Sequence, residues 1–185
     1  MRITGGSRRG QRLVPWQEEG IRPMRDFVRL AMFNIIAHLV DGARFLDLFC
    51  GTGSVGLEAL SRGAKGCVFV DSSVGACRVV RKNLDALSLL ERGVVIHADY
   101  SEAMERLERR GRKFDLVFVG PPYGEGLAPE ALQALGTMKL LSGECFVITE
   151  VFHKEELEAT YGRLNLNDRR VYGDNVLWFY EVGAS

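Results

Sequence analysis

Asp47, Asp71 and Asp99 each stand at or near the end of an apolar run, and Gly51-Thr52-Gly53-Ser54-Val55-Gly56 follows the first of them. Three carboxylates brought by successive strands to one sheet edge can hold the polar groups of a nucleoside cofactor. Gly51 and Gly53 let the chain turn tightly and let a ligand come close to the main chain. Ser54 is placed to cap the helix that follows. The spacing fits G-x-G-x-x-G, and Asp71 lies twenty residues after Gly51, so a dinucleotide is one reading. Three features favour another ligand. Asp47 precedes the glycines, where an anion disfavours a pyrophosphate. A basic hairpin and a long helix come before the glycine strand. A later strand runs into Gly120-Pro121-Pro122-Tyr123.

That last tetrapeptide suggests amine chemistry. Two prolines fix the backbone, so their carbonyl oxygens can be aimed rigidly. Carbonyls that accept from an exocyclic amine free its lone pair for attack on a methyl sulfonium. Tyr123 offers a face on which a base stacks, worth about 1–3 kcal/mol. Asp47 then suits the cationic groups of S-adenosylmethionine. Asp71 and Ser72 suit its ribose hydroxyls, and Asp99 with Tyr100 its adenine. Phe49, Gly51 and Gly53 line the loop, and Arg22 is a further cofactor candidate. The catalytic candidates are Gly120, Pro121, Pro122 and Tyr123. Cys50 reads as a small loop residue, and no Pro-Cys dipeptide exists, which argues against a covalent cysteine route.

The elements that must position these residues alternate. Apolar runs predict strands at about 43–49, 66–71, 94–97, 114–119 and 144–150, each followed by a helix, at about 54–62, 73–88, 100–110, 128–138 and 153–160. Two final strands, about 163–171 and 176–182, flank Tyr172-Gly173-Asp174-Asn175, a hairpin turn. A helix at about 24–39 precedes them all. The expected fold is α/β, a seven-stranded mostly parallel sheet with helices on both faces, Rossmann-like, with the last strand antiparallel.

Residues 1–14 predict a β-hairpin around a glycine-rich turn that exposes Arg8 and Arg9. Residues 1–29 hold seven arginines against three acids, although the whole chain has zero formal charge. An anionic partner at that end is expected, with Arg2, Arg8, Arg9, Arg12 and Arg25 as RNA-binding candidates. Residues 1–23 form the basic hairpin and linker, and 24–185 one domain. The four cysteines are scattered, without CxxC, and the three histidines are isolated, so neither a metal site nor a disulfide framework is expected. The cysteine usage and the lack of an apolar leader or bilayer-length run point to a reducing cytoplasm.

Taken together, Met1-Arg2-Ile3, Arg9-Gly10, Arg22-Pro23, Arg29-Leu30-Ala31-Met32-Phe33-Asn34, Asp47 to Gly53, Gly56 to Ala64 and Pro121-Pro122-Tyr123 make the sequence resemble the RsmD-like family of 16S rRNA guanine-N2 methyltransferases, within the class I S-adenosylmethionine-dependent methyltransferases. The resemblance covers nearly the whole chain. It implies methyl transfer to the 2-amino group of a guanine in 16S rRNA or a small ribosomal subunit assembly intermediate, by a monomer without metal or membrane. Gly120 stands where that family usually has Asp or Asn, and Met24 where it usually has Thr. Three readings stay open: adenine-N6 methylation of DNA or RNA, a catalytically weak RNA- or cofactor-binding module motivated by Gly120, and an NAD-dependent oxidoreductase.

Overall fold

A computed structural model describes residues 1–15 and 24–183. Arg22 and Pro23 lie outside the described residues. The elements are α1 (Asp26–Ile35), α2 (Ala37–Val40), β1 (Arg44–Leu48), α3 (Ser54–Ser61), β2 (Gly66–Asp71), α4 (Val74–Ala86), β3 (Gly93–His97), α5 (Tyr100–Arg109), β4 (Phe114–Val119), α6 (Leu127–Thr137), β5 (Leu141–Phe152), β6 (Thr160–Tyr161), β7 (Leu164–Tyr172) and β8 (Asn175–Val182).

One eight-stranded sheet runs in the order β3-β2-β1-β4-β5-β8-β7-β6. The first five strands pair in parallel, and β8 enters antiparallel beside β5. The eighth strand is the two-residue β6, which pairs only with β7. Alternate residues of the apolar strands feed two cores. Phe45, Phe69, Leu116, Phe118 and Ile148 pack with α1, α3 and α4, while Leu46, Val68, Val117, Val119 and Val147 pack with α5 and α6. Burial on both faces is what a parallel sheet requires.

Three sequence expectations are corrected. The N-terminal hairpin is shorter than expected: residues 1–3 pair antiparallel with 10–13 through the Arg2 to Arg12 bridge, around a 3-10 turn at Gly6–Arg8. Ile3 N donates to Gln11 O, Gly10 N to Ile3 O and Leu13 N to Met1 O, and the turn is held by the body: Thr4 N and Oγ1 donate to Glu58, and Arg8 N donates to Ser61 Oγ. Ile3 and Leu13 are buried in the same core as α1 and α3. The helix expected near 153–160 is a loop. Phe152 N donates to Glu155 Oε1, Glu158 N donates to the Tyr161 hydroxyl, and Tyr180 donates to Glu158 O. Side-chain acceptors and donors there take the backbone groups a helix would use. The long first helix breaks at Ile36, whose φ of −93° and ψ of 13° separate α1 from α2.

Candidate active site

β1 and β2 end side by side, and the loop after β1 is held by carboxylates from both strands. Asp47 is 1% exposed, and its Oδ2 accepts from Gly56 N at 2.9 Å. This bond satisfies one of the free N–H groups at the start of α3. Asp71 accepts from Gly51 N through Oδ2 at 2.8 Å and from Ser73 N through Oδ1 at 2.9 Å. Gly53 caps α3 at φ 76°, a left-handed conformation, and a Cβ at Gly56 would overlap the Phe69 ring, so α3 packs on β2 only with glycine there. Ser54 is buried and makes no cap bond; the capping role expected of it passes to Gly53 and Asp47.

Burial pushes the Asp47 carboxyl up to about 7, Gly56 N–H opposes the rise, and Asp71 adds to it. A raised folded value means a contribution to stability that is whole below the ordinary value and is lost as pH rises through the folded one. Asp47→Asn keeps an acceptor for Gly56 N. The stability gap between the Asn variant and the parent is expected to grow from pH 4 to pH 7 and then level off, on the order of 4 kcal/mol. Urea melts across that range test it, and a gap independent of pH would sink the idea.

Phe49 adopts φ 62° without being glycine. That backbone strain of about 1–3 kcal/mol marks a position fixed by its surroundings. Its ring lies 4.9 Å from the ring of Tyr100. Asp99 caps α5, accepting from Ser101 N at 2.8 Å and from Ser101 Oγ at 2.7 Å, and these bonds hold its carboxyl below the usual range. Tyr100 donates to Glu130 Oε2 at 3.2 Å. Ser72 is exposed, with its carbonyl 3.0 Å from His97 Nε2. Asp71, Ser72, Asp99, Tyr100 and Phe49 therefore gather at the carboxyl edge of β1, β2 and β3. Asp47 lies under the loop instead, bonded to Gly56 N.

Pro121-Pro122-Tyr123 leaves the same edge one strand away. Gly120 N donates to Leu48 O at 3.3 Å, which ties this loop to the end of β1. Thr149 Oγ1 donates to Val119 O at 2.7 Å. Pro121 is buried, and Pro122 and Tyr123 are half-buried. A Cβ at Gly120 would lie 2.5 Å from Phe118 Cε1, so any side chain there requires that ring to turn. The Tyr123 hydroxyl accepts from Asn175 Nδ2 at 2.8 Å, and the same nitrogen donates to Glu150 Oε1 at 2.6 Å. Glu150 and Asn175 were missed in the sequence. The available signal was the one that singled out Asp47, an acid near the end of an apolar strand (Phe146-Val147-Ile148-Thr149-Glu150).

The arginines fall into two groups. Gly6–Arg8 docks on the far ends of α3 and α4, where Arg8 Nε donates to Leu87 O at 2.7 Å. Both helices begin at the carboxyl edge, so this turn sits one α3 length, about 12 Å, away from it. Arg8 is half-buried rather than free at an exposed tip, and Arg9 is exposed beside it. Arg2 and Arg12 are exposed at the open end of the arm, which lies against the glycine loop. There Asn83 accepts from Val14 N and donates to Thr52 O, and Thr52 Oγ1 is 3.5 Å from Met1 Sδ. Arg25 is exposed at the start of α1. Among the described residues no group of His, Cys, Asp or Glu could hold a metal ion, and no helix is long and apolar enough to cross a membrane.

Known proteins resemble this chain in sequence and fold. The chain is 33% identical over 184 residues to the Escherichia coli "Ribosomal RNA small subunit methyltransferase D", covering 100% of this chain and 91% of the relative. The structure of a hypothetical protein from Thermus thermophilus superposes with a TM-score of 0.82 at 28% identity, covering 98% of this chain and 99% of that one. A Salinibacter ruber RNA methyltransferase, solved in complex with S-adenosyl-L-homocysteine, shares the fold at a TM-score of 0.69 and 14% identity, over 89% of this chain and 95% of its own. The architecture is that of the class I methyltransferases. With a family model described as conserved hypothetical protein 95 matching residues 1–181, the chain belongs to that family, the RsmD-like one.

Proposed function

We propose that the chain is an S-adenosylmethionine-dependent methyltransferase acting on the N2 amine of a guanine in 16S rRNA, as a cytoplasmic monomer. The observation that carries this reading is the hydrogen bond between Gly120 N and Leu48 O, which sets the Pro-Pro-Tyr loop beside the carboxylate-held glycine loop. The naming of the Escherichia coli relative supports the small-subunit substrate. The donor set fits the cofactor: carboxylates beneath and beside the loop oppose a pyrophosphate and suit a sulfonium and an ammonium group. When bound, S-adenosylmethionine supplies an electrophilic methyl group.

In this reading Asp71 and Ser72 hold ribose hydroxyls, since each Asp71 oxygen keeps a lone pair after its loop bond. Asp99, Tyr100 and Phe49 bound the adenine, and Asp47 keeps the loop in shape. Arg22 remains a candidate on sequence grounds. The target base leaves its stack, lies on Tyr123 and donates an amine hydrogen bond to the Pro121 carbonyl. Placement of the two reactants supplies most of the acceleration. Residues 24–185 carry this chemistry, and the arm through residue 23 meets RNA.

Small subunits lacking the modification, incubated with labelled S-adenosylmethionine, are the direct test. Nucleoside analysis that returns N2-methylguanosine supports the reading. N6-methyladenosine would replace it with the adenine reading, and no label with cofactor still bound with the weak binding module.

The arm's geometry adds a quantitative expectation. Replacing Arg2 and Arg12 with alanine should weaken RNA binding and lower the slope of log affinity against log salt by about 2, leaving cofactor affinity unchanged. Replacing Arg9 alone should do less, because it sits at the far end of α3. Filter binding at several salt concentrations checks the order. A larger effect at Arg9 would return the grip to the turn.

A further inference from the structure

Methylating a neutral amine creates a proton that must leave, and the Pro121-Pro122-Tyr123 loop offers only carbonyls and a phenol. The carboxyl edge contains two buried carboxyls with raised values. Asp47 is committed to Gly56 N under the glycine loop. Glu150 is placed differently. Thr149 pairs with Val119 in parallel register, so Glu150 follows at the level of Gly120. Ile148 and Phe118 share one core, so alternation turns Glu150 and position 120 toward that same face. No side chain leaves Gly120 to occupy the space between them. Among the described residues the one hydrogen-bond partner of the Glu150 carboxyl is Asn175, which also holds Tyr123.

We propose that Glu150 is the proton-accepting residue of the amine pocket, held in place by Asn175 and acting at the Pro121-Pro122-Tyr123 loop. The role rests on the amine-methylation reading above. The amine nitrogen forms a bond to the methyl carbon as the carbon–sulfur bond breaks, its electron pair going to sulfur. The nitrogen, now positively charged, releases one proton. Glu150 takes it as a carboxylate, directly or over one water, and later returns it to solvent.

The protonation behaviour of the residue agrees with this task. Burial pushes the Glu150 carboxyl up to about 7, and the bond from Asn175 opposes the rise. A base with that value is ionised and still basic near neutral pH. The charged and titratable groups on neighbouring elements include Asp47 on β1, Asp115 on β4, Glu181 on β8, Tyr123 on the loop, His153 after β5, Tyr172 and Asp174 at the β7–β8 turn, and Arg25, Asp26 and Arg29 at the start of α1. None of them contributes to the shift of Glu150, which comes from burial and Asn175.

The test compares parent, Glu150→Gln and Asn175→Ala proteins. Gln keeps an acceptor for Asn175, so the fold is retained. Single-turnover methyl transfer is measured from pH 5.5 to 9, cofactor affinity by calorimetry, and the Glu150 carboxyl of the cofactor-free protein by carbon NMR titration. The expected results for Glu150→Gln are a rate lower by about 100-fold, loss of the acid limb near pH 7, and unchanged cofactor affinity. In Asn175→Ala the limb should move to higher pH, because the bond that lowers the value is gone. The cofactor-free titration should centre near 7. A Glu150→Gln protein with parental rate and limb, or a titration at the ordinary carboxylate value, overturns the role alone. A parent protein that methylates no exocyclic amine overturns the role and the proposed function together.

Discussion

Replacing Glu58 with alanine should cost about 3–5 kcal/mol of stability, because it strands a buried guanidinium. Glu58 lies on α3 at 0% exposure and receives hydrogen bonds from three residues. Thr4 N donates to Oε2 and Thr4 Oγ1 to Oε1, both at 2.8 Å; Arg62 Nε donates to Oε1 at 2.8 Å, and Arg29 Nε to Oε2 at 3.4 Å. Arg29 is also 0% exposed, and its Nη1 has no partner among the described residues. Its remaining ion pair is Asp26, which is 41% exposed and screened by solvent. At about 2–4 °C per kcal/mol for a chain of this size, the melting temperature should fall by roughly 6–20 °C. The loss has a second readout. Thr4 anchors the N-terminal arm, so protease cleavage after Arg8 or Arg9 should speed up before the body unfolds. A double variant, Glu58→Leu with Arg29→Met, should recover most of the stability, since it removes both charges instead of orphaning one. An alanine variant that loses less than about 1 kcal/mol would show that the cluster does not hold the arm.

The same cluster explains what the sequence made legible and what it hid. The strand, loop and helix from Arg44 to Ser61 can be read directly because apolar runs, glycine spacing and Asp47 all specify one local structure. The parallel sheet follows from strands that are apolar on both faces. In the arm, Ile3 and Leu13 with glycines between them have the pattern of the short hairpin that forms, but the pattern hides where its turn docks. The actual partners of Thr4 and Arg8 lie on α3 and α4, more than fifty residues away. The polar stretch after Phe152 has helical composition, and only the distant Tyr161 and Tyr180 decide that it is a loop. Gly120 stands out in the sequence as a missing side chain. Its structural counterpart, Glu150, needs the pairing of β4 with β5 to come into view. Local rules thus locate the loop proposed to hold the cofactor. The proposed amine pocket depends on register between strands about thirty residues apart, which composition does not encode.

Asp71→Ala should weaken S-adenosylmethionine binding by about 100-fold. One carboxylate here does two jobs. It ties Gly51 N and Ser73 N, so it fixes the glycine loop to the start of α4. In the proposed complex its free lone pairs also accept ribose hydroxyls. Hydrogen bonds to a charged group contribute about 1.5–3 kcal/mol each, and about 1.4 kcal/mol is one decade of affinity. Losing a ribose contact together with some loop order therefore reaches two decades without further assumptions. Asp71→Asn separates the two jobs. Gly51 N and Ser73 N face different Asp71 oxygens, so the single Asn oxygen keeps one of the two bonds in place, and the NH2 that replaces the other oxygen cannot accept from a hydroxyl. A smaller loss of about tenfold is expected, with thermal stability closer to the parent than in the alanine variant. Calorimetry with S-adenosylmethionine and, in parallel, with NAD reads both outcomes, because the proposed role of Asp71 is to hold a ribose and either nucleoside carries one. Heat from NAD and none from S-adenosylmethionine would reassign the site to a dinucleotide. Affinity within about twofold of the parent in both variants would remove Asp71 from the cofactor site altogether.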